Sequence, residues 1–269
     1  MSRTLFDRHV YTVRHGLLTG KKRRGGLGWL PAWIAGEAET PEIRFWRSLD
    51  IDQLTVYDVG AFEGLLSIFF AGHARHIVAY EPNARNRERL LANLRLNGIG
   101  NVTVRDRGVG SHPEKLEMVW DPSMPGGASV EALTVDHLRA TVREAPRQEI
   151  VITTLDQDRA DLNLPAPDLI KIDIEGWELE ALKGTRQILR DFMPALYLEM
   201  HGETLREKKR KVAEIVAFLN ETGYSDIHHV ETGRRITAAN SEVACEGHLY
   251  SPRPRTPFLR EPDGSPSLP

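Results

Sequence analysis

Only one cysteine, Cys245, stands in the 269 residues, so no disulfide can close within the chain and no cysteine-built zinc cluster can form. Missing as well is any run of eighteen apolar residues, which leaves no segment suited to span a membrane as a helix. The formal charge is close to balanced, at -3 with a pI near 6.4. That argues against a protein whose main work is neutralising phosphates, and no nucleic-acid partner is expected. No charged-then-apolar leader pattern opens the sequence, so the cytoplasm is the expected compartment. Two phosphate-binding signatures are also absent. After the strand pattern "VYDV" the turn reads Gly60, Ala61, Phe62, Glu63, Gly64, and a dinucleotide fingerprint counted from Gly60 would need glycine at Phe62 and Leu65. The turn carries no P-loop lysine either.

What is present is ordinary for a globular protein, with 41% hydrophobic and 27% charged residues, and the length suits one large α/β domain. From residue 54 the pattern alternates: strand "LTVYDV", helix "EGLLSIFFAG", strand "HIVAYE", helix "NRERLLANLRLNG", strand "VTVRD". Such alternation predicts a parallel sheet. "VITTLDQ", "PDLIKIDIEG" and "PALYLEMH" supply further strands, "ELEALKGTRQIL" and "KVAEIVAFLNETG" helices, and "DIHHVETGRRITAA" fits a terminal hairpin. The organisation expected is an appended N-terminal segment over 1–50, a catalytic-size domain over 51–250, and a Pro- and Ser-rich disordered tail over 251–269. Within the first segment the basic run Lys21 to Arg24 reads as a solvated tether, and "PEIRFWRSL" has helical spacing. The Pro- and Gly-containing loop "DPSMPGGASVEA" is expected to close over a substrate.

Asp58, Gly60 and Gly64 make a tight turn with an acidic group at the strand's end, which suits a ligand with a cationic amine and no phosphate. Adenosylmethionine is such a ligand. Glu81 ends the second strand 23 residues after Asp58, near the spacing at which a carboxylate accepts hydrogen bonds from ribose hydroxyls. On the acceptor side Asp173 closes "LIKID" and Glu175 follows, while Glu199 and His201 close "LYLEMH" on one face of an extended chain. If these strands adjoin, three carboxylates and an imidazole converge at the carboxyl edge of the sheet. A hydroxyl attacking a sulfonium methyl must lose its proton. His201 or a carboxylate serves as base, with a pKa near the imidazole value of about 6.5 if His201, or Asp173, Glu199 and His201 hold Mg²⁺ or Mn²⁺. Glu175 and His201 also have plain structural uses at a helix start and a strand end, and Trp177 reads as packing.

The blocks "VYDVGAFEG", "VAYEPNARNRERLLANLRLNG", "TLD", "PDLIKIDIEGWELEALKG" and "LYLEMHG" together resemble the FkbM family of adenosylmethionine-dependent methyltransferases over about 55–225. The resemblance implies a class I methyltransferase (Rossmann-like) fold, a mostly parallel seven-stranded sheet with an antiparallel terminal hairpin. It implies S-adenosyl-L-methionine as cofactor and O-methylation of a hydroxyl on a sugar, glycan or natural product. The sequence departs from relatives at Phe62 and Glu63. The candidate cofactor set is Asp58, Gly60, Ala61, Gly64, Glu81, Asn83, Asp106 and Asp173, and the candidate catalytic set Asp173, Glu175, Glu199 and His201. Two other readings are a nicotinamide-dependent oxidoreductase, weakened by the missing phosphate glycines, and a non-catalytic adenosylmethionine-binding partner protein, weakened by the retained acids.

Overall fold

Alternating apolar strands form the centre of the computed structural model, which describes residues 9–25, 39–120, 128–129 and 145–253. In chain order the elements are β1 (Val10–Thr12), β2 (Lys22–Arg24), α1 (Pro41–Ser48), β3 (Thr55–Val59), α2 (Leu65–Ala71), β4 (His76–Tyr80), α3 (Ala84–Leu96) and β5 (Val102–Arg105). There follow β6 (Gly108–Val109), β7 (Glu114–Trp120), β8 (Ala128–Ser129), β9 (Arg147–Thr153), α4 (Leu155–Asp161), β10 (Leu169–Ile172) and α5 (Glu178–Lys183). The last are α6 (Arg186–Phe192), β11 (Ala195–Glu199), α7 (Leu205–Glu221), β12 (His228–His229) and β13 (His248–Ser251).

The main sheet has seven strands in the order β12-β13-β11-β10-β3-β4-β5. All pairs from β11 to β5 are parallel, and β13 runs antiparallel between β11 and β12. This is the class I methyltransferase arrangement that the resemblance implied. Because strand side chains alternate, each strand feeds two cores. Tyr57, Ile170 and Leu196 pack with α5, α6 and α7 residues on one face, and Val56, Leu169 and Tyr197 with α1, α2 and α3 residues on the other. Among the described residues no helix is long and apolar enough to cross a membrane.

Several expectations need correction. The basic run is not a tether: Lys22 to Arg24 form β2, which pairs antiparallel with β1. Nor is α1 merely appended. Its Trp46 is fully buried in the core with Val56 and lies 4.1 Å from the ring of Tyr197, a side chain whose truncation to alanine ordinarily costs about 3–5 kcal/mol. "ELEALKGTRQIL" is two helices, because the chain turns at Gly184, where a Cβ would come within 1.9 Å of the Gly110 carbonyl oxygen. The terminal hairpin joins β12 to β13; within 226–239 only a single bridge, His228 to Arg235, forms. Ser251, placed in the tail by its composition, still pairs in the sheet, and Arg253 meets Asp168 at 2.7 Å. "VITTLDQ" does not extend the main sheet but contributes β9 to a separate four-stranded sheet, β6-β9-β7-β8. The loop read as a lid lies outside the described residues, except for the pairing of β8.

Candidate active site

At the carboxyl ends of β3, β4 and β10 a cavity of about 290 Å³ opens, close to the lower end of the size range of small-molecule sites, about 300–1,000 Å³. Part of the lining is apolar: Val109, Met118, Ile150 and Ile152, all four from the separate sheet. Gly60, Phe62, Glu81, Asp173, Glu175 and Trp177 also line it. Strand ends are where an α/β sheet leaves room for a ligand.

Glu81 is 5% exposed, and each carboxylate oxygen accepts one backbone N–H: Oε2 from Phe62 and Oε1 from Asn83, both at 2.8 Å. These bonds fix the carboxylate and leave lone pairs for a ligand. Burial pushes its pKa up, against the pull of those two N–H groups, to about 7. Gly60 (φ 80°) earns its place by close approach rather than by ligand contact alone, since a Cβ there would lie 1.8 Å from the Asp173 carbonyl oxygen.

Asp173 of the expected cofactor set lines the cavity, and the others have partners within the fold. Asp58 is fully buried beneath the turn, where its Oδ2 accepts from Ser67 Oγ at 2.6 Å and its Oδ1 lies 3.3 Å from Lys171 Nζ. Gly64 lets α2 approach α3, because a Cβ would meet Leu90 at 2.3 Å. Ala61 is buried and donates its N–H to the Tyr80 carbonyl. Asn83 caps α3, accepting from Arg85 and Asn86 N–H, the use to which a strong N-cap residue is suited. Asp106 is exposed and pairs with Arg107 at 2.6 Å. Arg107, the residue after Asp106, and Asn86, three residues after Asn83, line the cavity.

The acceptor-side residues do come together. His201 sits 3.8 Å from Asp173, 3.6 Å from Glu175 and 3.5 Å from Glu199, and its Nδ1 bonds Glu178 at 2.9 Å. Glu178, unremarked in the sequence, is the hub. It is 2% exposed and its Oε1 also accepts the N–H groups of Ile174 and Gly176, which shapes the segment bearing Glu175. Glu175 itself has φ 55°, a left-handed backbone uncommon outside glycine and typical of constrained sites. Lys171, 3% exposed, is the buried counter-charge: it lies 3.3 Å from both Asp58 and Asp173 and donates to the Gly60 carbonyl at 2.8 Å. Although burial opposes it, the charges of Asp173 and Asp58 raise the ammonium's pKa.

These contacts change the expected chemistry of the histidine. Burial disfavours a charged ring, but hydrogen bonds to Glu178 and Glu199 and the field of Glu175 push His201 up to about 11. Such a shift favours the imidazolium at neutral pH, a form with no lone pair for a proton. Burial, only partly offset by His201, pushes Glu175 up to about 7. Burial likewise raises Asp173, whereas bonds from His201 and His248 hold Glu199 below the usual carboxylate range despite its burial. Asp173, Glu199 and His201 offer ligand atoms all within 4.8 Å of one another, a spacing a cation can use. Trp177 adds a feature that packing alone does not explain: its indole N–H is buried without a hydrogen-bond partner on the cavity wall.

Residues 58–225 match the profile of the methyltransferase FkbM domain. A curated relative, "Methyltransferase 1" of Beauveria bassiana (strain ARSEF 2860), is 23% identical over 146 residues, which cover 49% of this chain and 59% of the relative. Among solved structures, an FkbM methyltransferase from Methylobacillus flagellatus KT is 20% identical with a TM-score of 0.46, covering 82% of this chain and 52% of that one. A precorrin-6y C5,15-methyltransferase from Geobacter metallireducens GS-15 is 17% identical with a TM-score of 0.43, covering 78% and 86%. The chain thus spans little more than half the length of the first two.

Proposed function

Since this chain belongs to the FkbM methyltransferase family, we propose that it transfers a methyl group from S-adenosyl-L-methionine to a hydroxyl of a sugar, glycan or natural product. The observation that carries this reading is one cavity lined both by the fixed Glu81 carboxylate and by Asp173 and Glu175. The family leaves the nicotinamide-dependent alternative without support.

The residues fit this cofactor. The apolar wall suits a base, Glu81 suits ribose hydroxyls, and the carboxylates suit a cationic centre. Bound there, the cofactor supplies an electrophilic methyl group on sulfur. The chain's own task is to orient the acceptor and take its proton. Glu175 fits the role of base: it lines the cavity, the backbone on either side of it is held by Glu178, and its pKa of about 7 lies near the operating pH at which a general base works best. Asp173, anchored by Lys171, orients the hydroxyl beside it. The charged His201 gathers the carboxylates and holds them in place.

The test is methyl transfer from labelled cofactor into a panel of glycans and hydroxylated metabolites, run with and without EDTA. Label on a hydroxyl is expected, and label on nitrogen or carbon instead would overturn the O-methyl reading. Because His201 is already charged and hydrogen-bonded, chelation is expected to leave the rate unchanged. Activity lost to EDTA and restored by Mg²⁺ or Mn²⁺ would reassign Asp173, Glu199 and His201 as cation ligands.

Cofactor affinity should depend on pH through Glu81. Only the carboxylate accepts from both ribose hydroxyls, so binding favours loss of the proton that the empty site holds up to about pH 7. The dissociation constant for adenosylhomocysteine is expected to rise by up to about tenfold per unit as pH falls below 7 and to level off above it. A flat profile from pH 5.5 to 8 in calorimetry would exclude Glu81 as the ribose acceptor.

A further inference from the structure

The turn over residues 60–64 is unusual in having three left-handed residues, Gly60 at φ 80°, Phe62 at 51° and Gly64 at 86°. For phenylalanine that backbone is sterically unfavourable, so neighbouring groups must hold it. Phe62 lines the cavity, and its N–H is the one that orients Glu81. From the inner side the turn is held by Lys171. From the outer side it is held by a segment that lies outside the family-matched residues.

We infer that the N-terminal hairpin is part of the cofactor site, with Arg23 and Asn93 as positioning residues that hold the 60–64 turn in its ligand-binding shape. The proposal rests on adenosylmethionine being the cavity's ligand. The Glu63 carboxylate, 12% exposed, is gripped by Arg23 at 3.3 Å and by Arg89 of α3. The Glu63 carbonyl accepts from the side-chain amide of Asn93 at 2.9 Å, and the other end of that amide accepts from the Arg24 backbone N–H at 2.8 Å. A fully buried Asn93 thus ties β2 directly to the turn. One helical turn on, Asn97 accepts from the Lys22 N–H at 2.8 Å and donates to the Lys22 carbonyl at 2.7 Å. Asn93 of α3 and Asn97 at its C-terminal cap therefore satisfy the edge of β2 as a neighbouring strand would, and Leu18, in the chain between β1 and β2, is 3% exposed in the core behind it. The sequence departure at Glu63 has its physical reason here: this turn carries an acid because a basic strand lies against it.

It follows that cofactor occupancy and hairpin docking favour each other, since both select the same turn conformation. Hydrogen exchange on the full chain should show adenosylhomocysteine slowing the amides of Lys22 and Arg24, which the two asparagines bind. Arg23→Met should weaken adenosylhomocysteine binding about three- to tenfold, the size of a coupling through one shared hydrogen-bond network. Arg23→Lys, which keeps the charge beside Glu63, should recover most of that loss, a rescue that a general loss of stability would not show. Parental affinity in Arg23→Met, with exchange at Lys22 and Arg24 unaltered by ligand, would overturn the coupling while leaving the cofactor reading intact. A parent chain that fails to bind adenosylhomocysteine at all would sink the cofactor reading and the coupling with it.

Discussion

Replacing Glu175 by glutamine is expected to slow methyl transfer by roughly 10²–10⁴, the usual effect of removing a general base, while adenosylhomocysteine binds within about twofold of the parent. The variant keeps the side chain's shape and loses only its capacity to take a proton. Asp173→Asn should fall in a similar range but for a different reason, because it also strips Lys171 of one of its two carboxylate partners. The pH profile separates the roles. The parent rate should rise through an acid limb near pH 7, where Glu175 gives up its proton, and this limb should vanish in Glu175→Gln. In His201→Ala the limb should persist and move to higher pH, since the nearby imidazolium lowers the Glu175 pKa. Single-turnover rates at saturating cofactor report all three. A limb that disappears on removal of His201 instead would make the histidine the base.

Glu81→Ala carries the second large effect, a loss of adenosylhomocysteine affinity of about 1–3 kcal/mol, or roughly 5- to 150-fold, for hydrogen bonds to an ionised group. The substitution also leaves the Phe62 and Asn83 N–H groups without their acceptor, so calorimetry should be run well below the variant's unfolding temperature. Glu81→Gln is the sharper variant: it keeps the volume, weakens binding less, and should abolish the pH dependence of affinity. Unchanged affinity in both would remove Glu81 from the site. Stability carries the same proton with its own sign. The folded chain holds the Glu81 proton to about pH 7 whereas an unfolded chain releases it near 4.5, so the group favours folding at low pH, and that contribution is lost as pH rises from about 4.5 through 7.

The strands and helices around 55–105 and 169–221 were legible because their apolar periods are long and their boundaries carry glycine, asparagine or proline. The convergence of Asp173, Glu175, Glu199 and His201 was legible for a related reason: strand-end residues of adjoining parallel strands must meet at one edge. What escaped was partner choice across long sequence separations. Nothing near Asp58 in the sequence announces its ion pair with Lys171, over a hundred residues later. Asn83 and Asn86 are indistinguishable by type, and only the start of α3 decides which one caps the helix and which faces the cavity. The apolar wall was hidden because "KLEMVW" and "RQEIVIT" alternate like any other strands, and nothing local says that they leave the main sheet. The carboxylates that surround His201 and raise its pKa were not legible either, because how many of them meet it is a property of the fold.

The position of β13 sets the order in which the molecule can be completed. This strand comes from residues 248–251 yet lies inside the sheet, between β11 and β12. During synthesis the β11 edge stays open until the chain has been extended past Ser251, and β12, two residues long, has no sheet neighbour to join before then. An open edge of buried apolar residues such as Leu196 and Leu198 is a template for pairing with other nascent chains. His248 arrives on the same strand, stacking its ring on Tyr197 and coming within 3.6 Å of Glu199. A ribosome-stalled or proteolysed chain ending at residue 240 would therefore lack both its protected edge and the His248 contact to Glu199.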